Sequence, residues 1–190
     1  MTFDFAAARD IMVDSQVRPN DVPDLVLQHA MRTVARERFC AEGKAGLAYA
    51  VAELEYAPGR FLLRPRHLGK LLQTVSPRPG ERALAIAAPY AALVLEAMGL
   101  TVTRLEEGDL KTPPKGPFDV IVCESSVAEP PRAWLDALSP EGRLAVAVRS
   151  GPAGKVRLYL RGSEGLGYRE VFDASPPVLA GFEPAPAFVF

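Results

Sequence analysis

Apolar residues along the chain fall into two patterns. Up to about residue 75 they recur three and four apart, the spacing of one helix face. From residue 83 onward they come as short continuous runs, as in buried strands, with helical stretches between them. Phe3–Val17 is expected to form an amphipathic helix with Phe5, Ala8, Ile11 and Met12 on one face. Arg18-Pro19-Asn20-Asp21 breaks it, because proline and Asn-Asp are turn chemistry. A second helix follows to about Val34, with Leu25, Val26, His29 and Ala30 as its apolar side and Asp24 near its start, where the dipole favours an acid. Gly43–Arg60 reads as irregular, with a strand around Leu47–Glu55 and a break at Pro58-Gly59. Arg64-Pro65 then opens a helix carrying Leu68, Leu71, Leu72 and Val75, and Ser76–Gly80 stops it abruptly.

The rest of the chain is organised around RALAIAAPYAALVLEAMGL, Arg82–Leu100. Ala83–Ala87 has strand length, and Pro89 suits the first position of a helix because its missing N–H would find no helical partner anyway. Gly99 closes the helix and Leu100–Leu105 is a second strand. Strand, turn, helix, strand is the opening unit of a nucleotide-binding α/β sheet. Yet no glycine lies between Ala83 and Met98, so Ala87, Ala88 and Pro89 occupy a turn where a cofactor needs close backbone approach and free N–H groups. Phe118–Glu124 is another strand, with Ser125–Glu129 as its exit loop. Pro130–Leu138 is a helix, and Arg143–Val148 a fourth strand. Lys155–Arg161 and Tyr168–Ala174 suggest an antiparallel pair, and Phe188-Val189-Phe190 a docked last strand. Residues 1–79 are thus expected to be a helical region packed on a Rossmann-like domain of residues 80–190.

Composition narrows the function. With 22 basic and 23 acidic residues, the chain is not expected to bind nucleic acid or a membrane surface electrostatically. Cys40 and Cys123 are too few for a disulfide framework and match no metal spacing, which suits a reduced cytoplasm. MTFDFAAARD carries acids early and no long apolar core, so a signal peptide is not expected.

Several segments resemble the protein-L-isoaspartate O-methyltransferases, S-adenosylmethionine-dependent repair enzymes. MVDSQVRPND at Met12–Asp21 looks like the start of a bacterial branch. Ala35-Arg36-Glu37-Arg38-Phe39 resembles the family's Pro-Arg-Glu-x-Phe, Pro117–Ile121 its Pro-Phe-Asp-x-Ile, and Glu141–Leu144 its Gly-Gly-x-Leu. The resemblance implies an α/β methyltransferase sandwich, a mostly parallel sheet ending in an antiparallel hairpin. It also implies that Glu106, at the end of the second strand, is the acid that holds the ribose of S-adenosylmethionine, with Glu107 the competing position. The departures fall on the working parts. The glycine turn is Ala87-Ala88-Pro89, and the family's Ser-x-Pro element is Leu63-Arg64-Pro65, without its hydroxyl. Only the eleven residues from Glu107 to Pro117 separate Glu106 from the Phe118 strand, where the family has a helix and a strand lining the adenine pocket. A helix, a strand and two turns need more than about twenty residues. The crossover should therefore be bare and Leu100–Leu105 a sheet edge.

Two readings follow. One is a shortened family member without S-adenosylmethionine binding or catalytic residues, acting as a binding or assembly module, with a homodimer or protein partner on the free edge or the N-terminal helices. The other is an active carboxyl methyltransferase with a rearranged cofactor loop. Among single residues, Cys123 reads as core, His29 as helix packing, His67 as a solvated helix start beside Arg64 and Arg66, and Trp134, Leu135 and Leu138 as one buried helix face. Ser125-Ser126, at a strand's C-terminal end, is where a replacement ligand would be sought.

Overall fold

The computed structural model describes residues 4–184. Helix α1 (Phe5–Met12) is capped by Asp4, whose carboxylate accepts the Ala7 N–H at 3.0 Å. It runs on through a π-helical turn, Val13–Val17, and a 3-10 turn, Arg18–Asn20, before Asp21 reverses the chain in a left-handed conformation. Helix α2 (Leu25–Thr33) is capped by Asp24. A hairpin, β1 (Leu54–Ala57) and β2 (Arg60–Leu62), leads into α3 (Pro65–Val75). The sheet half comprises β3 (Arg82–Ile86), α4 (Pro89–Ala97), β4 (Thr101–Leu105), β5 (Phe118–Val127), α5 (Arg132–Asp136), β6 (Leu138–Val148), β7 (Lys155–Gly162) and β8 (Gly165–Asp173).

Among the described residues, six strands form the central sheet in the order β4-β3-β5-β6-β7-β8. The first four are parallel, and β7 and β8 complete it antiparallel. Order reverses at β3, which pairs with β4 on one side and β5 on the other, and ligands of open α/β sheets bind beside such a strand. The crossover from β4 to β5 contains no helix, and β4 is an edge, as the spacing predicts.

The two faces of the sheet are packed differently. Ala83, Ala85, Val120, Val122, Ala145 and Ala147 face α1–α4, and these small side chains let the helices approach. Leu84, Ile86, Ile121, Cys123, Leu144 and Val146 point to the other face, where the bare crossover leaves less cover. Large side chains fill in there. Trp134 is fully buried against Phe182 at 5.3 Å between ring centroids, and its indole N–H donates to the Leu110 carbonyl at 2.8 Å.

The pattern misplaces some residues. The buried side of α2 is Leu27, Gln28, Ala30 and Met31, whereas Leu25 and Val26 are exposed and His29 faces solvent rather than packing. Gln28 is inside because its amide satisfies the Val22 carbonyl at 2.8 Å, which polarity alone cannot reveal. Ile11 is also exposed. Most of the expected Leu47–Glu55 strand is instead turns, with β1 starting only at Leu54. Ser125–Val127 continue β5 rather than leaving it. Phe188–Phe190 lie outside the described residues.

Candidate functional site

The place a ligand would occupy is the crevice at the C-terminal ends of β3, β4 and β5, facing the start of α4. Ala87 makes the turn there. It is fully buried, and its φ of +44° is left-handed, a conformation that favours glycine. The geometry of a glycine turn is therefore kept without its glycine. Ala88 caps α4 without a side-chain bond and Pro89 fills the first helical position.

Glu106 reaches into this crevice from the end of β4. Its Oε1 accepts the Ala88 N–H at 2.9 Å, and its Oε2 accepts the Tyr56 hydroxyl at 2.9 Å. Arg60 stands 3.8 Å from Oε2 and donates to the Glu106 backbone carbonyl. Burial raises the Glu106 carboxyl above its usual range, although Tyr56, Ala88 and Arg60 all pull it down. Burial and the neighbouring Glu106 charge likewise raise Tyr56, which keeps its phenol protonated as a donor. Both carboxylate oxygens of Glu106 thus each accept a hydrogen bond from the chain itself. Glu107 is exposed and takes no part.

A second carboxylate, Glu124 on β5, is fully buried at the same crevice. Its Oε1 accepts the Ala91 N–H in the first turn of α4 at 2.6 Å, and its Oε2 accepts the Leu63 N–H at 3.2 Å. Burial pushes the Glu124 carboxyl up to about 7 against the pull of Arg36 and those two donors. Arg36, also fully buried, donates to Ala48 O at 2.8 Å and to Leu63 O at 2.7 Å, and its guanidinium lies 5.0 Å from the centre of the Tyr90 ring. Leu63, where the resemblance puts a hydroxyl, is a buried core residue.

The far side of the crevice is covered by the chain itself. The crossover lays Leu110 under Trp134, and the segment after β8 crosses the end of β5. Ser126 donates its hydroxyl to Pro176 O at 2.8 Å, and its backbone pairs with Pro177 and Leu179. Ser125 and Ser126 are consequently buried beneath that segment and offer no open ligand site. What remains nearby is a cavity of about 260 Å³ lined in part by Pro58, Arg60, Lys111 and Phe182. Ligand pockets are usually larger, roughly 300–1,000 Å³. In this arrangement the Glu106 carboxylate and the backbone at Ser126 are bonded to the chain's own groups.

Other sequence candidates resolve simply. Cys123 is buried, and burial pushes its thiol up to about 12, so it is a core residue. His67 is buried rather than solvated, 3.7 Å from Glu53, which Arg64 holds with two hydrogen bonds. No group of three or more metal-ligating side chains occurs among the described residues, and no helix there is long and apolar enough to cross a membrane. Pattern reading missed Tyr56, Arg60, Arg36 and Glu124. Two of them carried a signal: Glu124, as an acid ending the apolar run FDVIVC, and Arg36, in the segment that resembles the family's Pro-Arg-Glu-x-Phe.

No protein-family model matches the chain. Protein-L-isoaspartate O-methyltransferases of Methylorubrum extorquens and Methylorubrum populi are 31% and 30% identical to it, over 94% and 92% of this chain and 91% and 96% of theirs. A solved Plasmodium falciparum chain, described as a protein-L-isoaspartate O-methyltransferase in complex with S-adenosyl-L-homocysteine, superposes with a TM-score of 0.74. It is 15% identical, and the match covers 90% of this chain and 97% of that one. Another solved protein-L-isoaspartate O-methyltransferase gives a TM-score of 0.74 at 16% identity, over 92% of this chain and 67% of that one. The likeness to these structures carries the fold, an α/β methyltransferase sandwich with a mostly parallel sheet. The two relatives carry the family: the chain belongs to the protein-L-isoaspartate O-methyltransferases.

Proposed function

We infer that this family member keeps its cofactor crevice closed with its own side chains and acts as a non-catalytic binding or assembly module in the cytoplasm. The observation that carries this is that Glu106 Oε2 and Oε1 already accept the Tyr56 hydroxyl and the Ala88 N–H, with Arg60 3.8 Å away, where a ribose would need those oxygens. The left-handed alanine turn, the buried Leu63 and the bare crossover support it. Its partner is a second copy or another protein, placed on the free edge of β4 or on the exposed Leu25 and Val26 of α2, since an unpaired edge is a ready template for pairing. Isothermal titration with S-adenosylmethionine and S-adenosylhomocysteine tests the reading. No saturable heat is expected, and micromolar binding of either compound removes it.

The comparisons favour a second reading, an S-adenosylmethionine-dependent protein carboxyl methyltransferase. The named relatives match over nearly their whole length, and a structural neighbour was solved with S-adenosyl-L-homocysteine. On this reading the Tyr56 hydroxyl and Arg60 leave Glu106, which then holds the ribose. Transfer of a labelled methyl group to an isoaspartyl peptide is the outcome that selects it.

A further inference from the structure

The β1–β2 hairpin is joined to the rest of the fold in two different ways. Its base is fixed. Arg64, two residues after β2, holds Glu53, just before β1, with two hydrogen bonds. Leu62 and Leu63 are buried, and the Leu63 backbone is bonded to Arg36 and Glu124. Beyond that base, every residue from Leu54 to Phe61 is at least partly exposed, and the hairpin forms a two-stranded sheet of its own. Segments with so little buried surface open locally at lower cost than the core.

The hydrogen bonds that tie the outer hairpin to the sheet half converge on Glu106. Pairing in the hairpin shifts between Glu55 and Ala57, so Tyr56 is the extra residue of a bulge, a device that re-aims a side chain. Its hydroxyl donates to Glu106 Oε2, and Arg60, on the other strand, donates to the Glu106 carbonyl. Pro58 and Arg60 also form one wall of the cavity that Lys111 and Phe182 line. The element that holds Glu106 is therefore also the element that narrows the cavity.

We propose that the hairpin is a lid over the sheet's switch-point crevice, hinged at the Glu53–Arg64 base and latched at Glu106. Releasing the latch swings the lid outward as a unit and widens the cavity of about 260 Å³ beneath its tip. This rests on the reading that the crevice is closed from within, and extends it by making the closure reversible and naming its hinge and its catch.

The test is the distance between two spin labels on the full-length chain, one at the hairpin tip (Pro58→Cys) and one at the exposed start of β4 (Thr101→Cys). Cys40→Ser removes the half-buried native thiol, and Cys123 is buried. With the latch intact, one distance should dominate. Tyr56→Phe should raise the share of a second, longer distance, and Tyr56→Phe with Arg60→Met should make it the major one. Each latch bond removed should raise the open-to-closed ratio about ten-fold, as expected for hydrogen bonds to charged groups. The same two distances should recur in all three proteins, with only their populations changing. Hydrogen exchange separates swinging from melting: the paired amides of β1 and β2 should stay protected in the double variant. Should that variant fail to fold, Tyr56→Phe alone carries both measurements. A single unchanged distance overturns the proposal, as does loss of the β1–β2 protection. Neither measurement uses a cofactor. Cofactor binding by wild type would remove the non-catalytic reading without altering these outcomes, so the two can fail separately.

Discussion

Arg36 and Glu124 hold opposite ends of the same residue: Arg36 Nη2 donates to the Leu63 carbonyl at 2.7 Å, and the Leu63 N–H donates to Glu124 Oε2 at 3.2 Å. Leu63 stands where the resemblance expects a catalytic hydroxyl. Two buried ionisable side chains therefore fix its backbone while its own side chain joins the core. The position has become structural.

Glu124 gives the fold a pH dependence of definite sign. Its folded-state carboxyl lies near 7, above the ordinary value of 4.5, so the native chain holds a proton that the unfolded chain has released. Its contribution to stability is fully present below about 4.5 and is lost as pH rises through about 7. Glu124→Gln removes this titration. Urea unfolding between pH 5 and 8 should show stability shifting toward the variant, by on the order of a few kcal/mol. A wild-type–variant difference that stays constant with pH contradicts this.

The turn at Ala87 makes a prediction by contrast. Left-handed geometry costs a non-glycine residue roughly 1–2 kcal/mol, and a buried methyl contributes about 0.8 kcal/mol. Ala87→Gly should thus leave stability within about 1 kcal/mol of wild type. Ala85→Gly, in β3, loses its methyl with no strain to relieve and should cost about 1–2 kcal/mol. Equal losses at both positions in urea unfolding would show that the Ala87 strain is absent.

Restoring the family's hydroxyl should not restore chemistry. Leu63→Ser removes a side chain that is 2% exposed, at a cost of about 3 kcal/mol or more. Methyl transfer to an isoaspartyl peptide should remain at background in the folded fraction. Measurable transfer by this variant would mean that the crevice accepts the cofactor after all.

How much of this was legible beforehand depends on range. The succession of strands and helices along the sheet half follows from local apolar runs and breakers, and the β4 edge follows from the eleven residues between Glu106 and Phe118. Glu106 itself could be picked out as an acid at a strand end. Its partners could not, because Tyr56 and Arg60 lie 50 and 46 residues away and meet it only when the β1–β2 hairpin folds over the sheet. The α2 face differs from its pattern for a similar reason: Gln28 is buried by a carbonyl it satisfies, not by its own polarity.

The Tyr56 bond to Glu106 should be measurable in stability. Hydrogen bonds to charged groups contribute roughly 1.5–3 kcal/mol, and Glu106 would keep Ala88 and Arg60 as partners. Tyr56→Phe is expected to cost about 1–2 kcal/mol in urea unfolding. A loss below about 0.5 kcal/mol, within the range of ordinary surface changes, would mean that the hydroxyl does not engage the acid.

The most direct check is a crystal structure grown in saturating S-adenosylhomocysteine. The account predicts the Tyr56 hydroxyl on Glu106 and no adenosyl density along Ala87–Tyr90. Ribose hydroxyls bonded to Glu106, with Tyr56 displaced, would contradict it.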